Sequence, residues 1–151
     1  MKIPYGKQYL DKEDFNNVFA TLKEPLLSGG HLIKKFESKI SKFLRVNNVL
    51  ACSSGTAALH LSFLSINLKQ GDVVLMPAIN FISSFNLATQ FKAKIFLVDV
   101  DPLTGQMTPE TLKNCIKKNN LKKIKAIITM YLGGNAINIK KFYDLKKKYK
   151  A

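Results

Sequence analysis

Val49-Leu50-Ala51-Cys52-Ser53-Ser54-Gly55-Thr56-Ala57-Ala58-Leu59 is the stretch that decides how this chain folds. Val49–Cys52 is a short apolar run, bounded in the manner of a buried strand. Ser53-Ser54-Gly55 breaks it, and the Ala- and Leu-rich segment Thr56–Ser65 continues as a helix. Small residues at this turn let the backbone approach a ligand closely. The helix start adds free N–H groups and the positive end of a dipole, and Thr56 adds a hydroxyl, so that the turn forms a phosphate cradle. The same residues also make an ordinary helix cap, because Ser and Thr are favoured there. On the turn alone the two readings stand level.

Outward from this turn the chain alternates strand and helix. Gly71-Asp72 leads into a strand, Val73–Met76, which Pro77 ends; Phe81, Phe85 and Ala88 then mark a helix. Ile95-Phe96-Leu97-Val98 is the next strand, closed by Asp99-Val100-Asp101-Pro102. Thr108-Pro109-Glu110 is a helix start, with a hydroxyl cap and proline in the first turn, and Leu112, Cys115 and Ile116 face the core. Ala126–Met130 is a fourth strand, Gly133-Gly134 a loop, and Ile139, Phe142, Leu145 and Tyr149 the apolar face of a last helix. Before the turn lie two further helices. One runs from about Asp11 to Leu22 with Phe15, Val18, Phe19 and Leu22 at helical spacing, stopped by Pro25; the other carries Ile33, Phe36, Ile40 and Phe43. The pattern predicts an α/β fold, a mostly parallel sheet with helices on both faces, in which residues 1–46 form a helical segment and residues 47–151 the strand–helix repeats. Ligands of such sheets bind beyond the carboxyl ends of the strands, which singles out the loops after Cys52, Met76, Val98 and Met130.

Composition narrows the function. The 151 residues are 46% hydrophobic and 23% charged, a globular composition with enough chain for a core. No run approaches the ~18 apolar residues of a membrane span. Met1-Lys2-Ile3-Pro4-Tyr5-Gly6 has no apolar run behind it, so no secretory leader is expected and a cytoplasmic location is the default. Cys52, Cys115, His31 and His60 show no metal-ligand spacing, so neither a metal site nor a disulfide framework is expected. The net charge of +14 favours anionic partners. However, every basic residue except Arg45 is lysine, whereas specific nucleic-acid readers lean on arginine. The lysines fall mostly on polar helix faces, and solvated surface is preferred over a nucleic-acid interface.

Other chemistries fit poorly. The turn lacks the Gly-Lys-Ser/Thr ending of a P-loop and the three glycines of a dinucleotide fingerprint. Ser53 and Ser54 sit in no nucleophile elbow, and His60 follows on the helix with no evident acid partner. Phe81, just after a strand end, could stack on a planar cofactor; by itself it reads more simply as packing.

The succession Ser28-Gly29-Gly30, Phe36-Glu37, Ser53-Ser54-Gly55-Thr56-Ala57-Ala58-Leu59, Pro77-Ala78-Ile79-Asn80-Phe81, Val98-Asp99-Val100-Asp101 and Lys125-Ala126-Ile127-Ile128 resembles the nucleotide-sugar aminotransferases of the DegT/StrS type, in register over nearly the whole chain. The resemblance implies the amino-terminal part of the large domain of a type I pyridoxal-phosphate transferase. It also implies pyridoxal 5'-phosphate as cofactor, with Gly55, Thr56 and Ala57 at its phosphate and Phe81 stacked on its pyridine ring. Tyr5, Pro25, Leu26, Leu27, Ser28 and Gly55 would line the sugar side. The substrates implied are a nucleotide-linked keto-deoxy sugar and glutamate as amino donor, in a homodimeric enzyme of cell-surface polysaccharide synthesis with no membrane partner. The chain is most similar to enzymes that aminate carbon four of a UDP-linked sugar in pseudaminic-acid-like or aminoarabinose-like pathways. Tyr131 stands where relatives usually carry histidine, and Asn135-Ala136 replaces a Gln/Ala-Pro pair; both departures bear on substrate detail.

Transamination needs a Schiff-base lysine and a carboxylate that keeps the pyridine nitrogen protonated. The resemblance places both downstream of the helix ending near Tyr149 and assigns no lysine of this chain to the anchoring position. The expectation is therefore a truncated chain with no catalytic residue of its own, inactive by itself. The alternatives are a non-catalytic remnant that binds a phosphorylated ligand, or a basic α/β domain for nucleic acid.

Overall fold

The computed structural model describes Pro4, residues 6–149 and Ala151. The chain divides into two compact units, Met1–Ala51 and Cys52–Ala151. None of the described helices is long and apolar enough to cross a membrane.

The first unit holds α1 (Lys12–Leu22) and α2 (His31–Leu44). Asp11 caps α1: its carboxylate accepts the N–H groups of Glu13 at 2.8 Å and Asp14 at 3.1 Å. The Asp14 carboxylate accepts the Asp11 N–H in return, closing a capping box. α2 starts after Gly30 and ends at Arg45, which adopts the left-handed conformation common at helix ends. The apolar stripes expected from the sequence are present. They are not buried, however: Phe15, Val18, Phe19 and Leu22 of α1 and Phe36 and Phe43 of α2 are all more than half exposed.

The second unit is built on three parallel strands, β1 (Val73–Pro77), β2 (Lys94–Val98) and β3 (Ala126–Ile127), in the order β2-β1-β3. Val73 to Pro77 pair with Lys94 to Val98, while only Val74 and Leu75 pair with Ala126 and Ile127. Four helices complete the unit: α3 (Gly55–Ser65), α4 (Ser83–Gln90), α5 (Pro109–Lys118) and α6 (Lys140–Tyr149). The period-two alternation of a strand explains how one sheet serves two cores. Val74 and Met76 of β1 point to a cluster with Phe63 of α3 and Leu87 and Ala88 of α4. Leu75 points the other way, into a cluster with Val98, with Leu112 and Ile116 of α5 and with Phe142 and Leu145 of α6. Because α3 and α4 cover one face and α5 and α6 the other, β1 is apolar throughout and buried from Val74 to Pro77.

Three expectations need correction. Val49–Cys52 is not a strand. Within the described sheet both edges of β1 are taken by β2 and β3, and the Ala51 N–H donates to Glu37 Oε1 at 2.8 Å instead of to a ladder. The strand expected over Ala126–Met130 is shorter, because pairing with β1 stops once Ile128 N–H has donated to the Leu75 carbonyl. The helix marked by Phe81, Phe85 and Ala88 begins only at Ser83, leaving Phe81 in the preceding turn. Its buried face is Ser83, Ser84, Leu87 and Ala88, with Phe85 exposed.

Candidate functional site

The turn before α3 is a capped helix start. Ser54 is extended, its hydroxyl accepts the Ala57 N–H at 3.1 Å, and its carbonyl accepts the Ala58 N–H at 3.0 Å. The N–H groups of Gly55 and Thr56 precede the first bond of the helix and have no acceptor within it, as at any helix start. Gly55 and Thr56 are exposed and Ala57 is half-buried. Nothing lies within 4 Å of the place a Gly55 side chain would occupy, so the backbone here is open to approach. The cap reading is observed at Ser54, and the N–H groups of Gly55 and Thr56 and the Thr56 hydroxyl lie outside that cap.

Phe81 is 68% exposed, in the turn between β1 and α4. The turn is steadied by Asn80, whose Nδ2 donates to Ser84 Oγ at 3.3 Å. Pro25, Leu26, Leu27 and Ser28 form an exposed loop in the first unit. Tyr5 lies outside the described residues. His60 is exposed on α3 and its ring meets that of Phe91 edge-on, the centroids 5.6 Å apart. Among the described residues no group of histidines, cysteines and acids could hold a metal ion.

Two concavities of the second unit are lined by other residues. One, of about 350 Å3, runs beside β3 and α6 and is lined by Ala126, Ile127, Phe142 and Tyr143 with Lys125 and Lys146. The other, of about 410 Å3, lies between Leu97 and α5 and contains Cys115. Burial pushes the Cys115 thiol above its ordinary pKa, against smaller opposing effects of the Asn119 amide and the Lys118 charge.

The loop after β2 buries Gln106, which the sequence did not single out, and Asp101 braces the turn that carries it. Asp101 accepts the Thr104 N–H and hydroxyl, both at 2.9 Å, and the Leu103 N–H at 3.1 Å. The two bonds from Thr104 lead in holding its carboxyl below the ordinary value, and the Leu103 bond adds to them against a small effect of burial. The tight turn delivers Gln106 into the interior, 1% exposed. Nε2 of Gln106 donates to the Asn135 carbonyl at 2.8 Å, tying the loop after β2 to the loop after β3. Asp101-Pro102 was legible as a turn, but nothing in the sequence marks Gln106 as buried.

The sequence model of the DegT/DnrJ/EryC1/StrS aminotransferase family matches residues 8–151. The chain is 29% identical over 147 residues to the UDP-4-amino-4,6-dideoxy-N-acetyl-beta-L-altrosamine transaminase of Campylobacter jejuni, covering 97% of this chain and 38% of that enzyme. It is 32% identical over 120 residues to the GDP-perosamine synthase of Escherichia coli O157:H7, covering 80% of this chain and 32% of that enzyme. Among solved structures, NtdA of Bacillus subtilis with bound cofactor PMP superposes with a TM-score of 0.78 at 26% identity, over 93% of this chain and 32% of that one. The chain thus spans well under half the length of these relatives. The α/β architecture expected from the sequence is the fold these neighbours share, and the chain belongs to the DegT/DnrJ/EryC1/StrS aminotransferase family.

Proposed function

We propose that this protein contributes the phosphate-binding part of a pyridoxal-phosphate-dependent nucleotide-sugar aminotransferase. The observation that carries the reading is the open start of α3, in a chain whose family consists of aminotransferases. The residues present fit the phosphate end of the cofactor. Thr56 offers an exposed hydroxyl, Gly55 and Thr56 offer N–H groups at the positive end of a helix dipole, and Gly55 leaves room for an anion. The Ala57 N–H is engaged by Ser54 Oγ, so its share in anion binding is secondary. Phe81 presents a ring wide enough to cover a pyridine.

When bound, the cofactor supplies the electron sink that lets an amino group pass between carbon skeletons. The work of this chain's residues is to bind and orient. Thr56 and its neighbours fix the phosphate tail, and Phe81 excludes water from one face of the ring. Pro25, Leu26, Leu27 and Ser28, together with Tyr5 and Gly55, are proposed to face the sugar nucleotide. Glutamate is the proposed donor and a nucleotide-linked keto-deoxy sugar the acceptor, in a homodimeric cytoplasmic enzyme. The nucleotide-sugar class rests on what the Campylobacter and Escherichia relatives act on.

Pyridoxamine 5'-phosphate is the better probe, because it has no aldehyde to react with a lysine-rich surface. Its titration against the labelled protein should shift the backbone amide resonances of Gly55, Thr56 and Ala57, and pyridoxamine without the phosphate should not. The Thr56→Val variant should weaken the response severalfold. Equal shifts from the phosphate-free amine, or none at those three amides, would remove the reading.

A further inference from the structure

Gln106 carries a second role for this end of the sheet. It is among the most deeply buried side chains of the second unit, yet its Oε1 has no hydrogen-bond partner among the described residues. An unpartnered buried acceptor is unfavourable, and an apolar side chain of the same size would avoid it. What an apolar side chain lacks is the directed bond from Nε2 to the Asn135 carbonyl at 2.8 Å.

The loop that receives this bond has little else to fix it. Leu132–Gly134 form one turn of 3-10 helix in which Gly133 and Gly134 both have positive φ. Its own bonds are Gly134 N–H to the Tyr131 carbonyl at 3.0 Å and Asn135 N–H to the Leu132 carbonyl at 3.2 Å. The turn that supplies Gln106 is by contrast well braced. Asp101 binds Leu103 and Thr104, the Gly105 N–H donates to the Asp101 carbonyl at 2.8 Å, and the Asp101 N–H donates to the Gln106 carbonyl at 2.9 Å. The two loops also run close together here: Leu132 Cδ2 sits 2.8 Å from where a Gly105 side chain would begin.

We propose that Gln106 is a positioning residue, whose buried amide holds residues 131–135 in place at the carboxyl end of the parallel strands, the end at which ligands of such sheets bind. Tyr131 rides on the held segment. The ligand side of this statement rests on the function proposed above, and the lock between the loops does not.

The test is amide hydrogen exchange on the protein with Gln106→Met, a neutral side chain of similar length; Gln106→Leu serves if Met fails to fold. The expected result is exchange in residues 132–135 faster by roughly fivefold or more, the worth of one neutral hydrogen bond. Exchange in β1 and the denaturant midpoint should be unchanged or slightly improved. Unchanged loop exchange would overturn the lock. Loop and β1 exchange rising together would also overturn it, since Gln106 would then be only a core residue. Pyridoxamine 5'-phosphate provides the second arm. It should slow exchange at Thr56 and in residues 132–135 of the parent, and in the loop less so with Gln106→Met. Slowing at Thr56 without slowing in the loop would overturn the positioning role. Absence of slowing at Thr56 in the parent would count against the proposed function, while loop release in the variant would still establish the lock.

Discussion

Ser54 Oγ accepts the Ala57 N–H at 3.1 Å, and that bond closes the first turn of α3. Replacing the hydroxyl leaves one more N–H unsatisfied at the helix start. Ser54→Ala should lower stability by about 1 kcal/mol, and Ser54→Gly by only a few tenths. Chemical denaturation with both variants checks the order.

Asp101 braces its turn as a carboxylate, and the bonds it accepts from Thr104 and Leu103 keep it ionised below its ordinary range. The unfolded chain therefore takes up a proton at higher pH than the folded one. This contribution is complete above about pH 4, the ordinary carboxylate value, and is lost as pH falls through the lower folded value. Asp101→Asn should remove the dependence. The difference in unfolding midpoint between parent and variant should stay constant near neutrality and shrink below about pH 4; a difference that grows on acidification would contradict the assignment.

Gly71 and Gly105 both have positive φ, +83° and +66°, but their surroundings differ. Nothing lies near Gly71, so Gly71→Ala meets backbone strain alone, about 1–2 kcal/mol. Gly105→Ala adds a collision with Leu132 Cδ2 at 2.8 Å and should be the more damaging of the two. Thermal unfolding of the pair measures the difference.

Cys115 is half-buried, and burial raises its thiol pKa. Because the thiolate is the nucleophile, the folded protein should be alkylated at Cys115 more slowly than the denatured chain at the same neutral pH. Lys118→Gln removes a charge that pulls the pKa down and should slow the reaction further. Mass spectrometry of the peptide carrying Cys115 reads both rates.

What the sequence revealed follows the range of the interactions involved. Thr108 announced a helix start because caps act over three residues, and it forms a full capping box. β1 and β2 were legible because their apolar runs end at Pro77 and at the Asp99–Pro102 turn. Val49–Cys52 has the same composition as these strands yet stays outside the described sheet. Strand formation needs a partner, and its partner is not encoded locally. β3 was overestimated for the same reason, since its length is set by where β1 can reach it. At the candidate site, Thr56 and Phe81 drew attention through their place after turns, and the fold leaves both exposed. Gln106 was not, since a glutamine's burial depends on a carbonyl 29 positions away.

β1 gives Val74 and Met76 to one core and Leu75 to the other. The two cores therefore share a single backbone, which couples the order of one to that of the other. Cys52–Ala151 should accordingly lose its structure in one cooperative step, with circular dichroism and tyrosine fluorescence tracing the same curve.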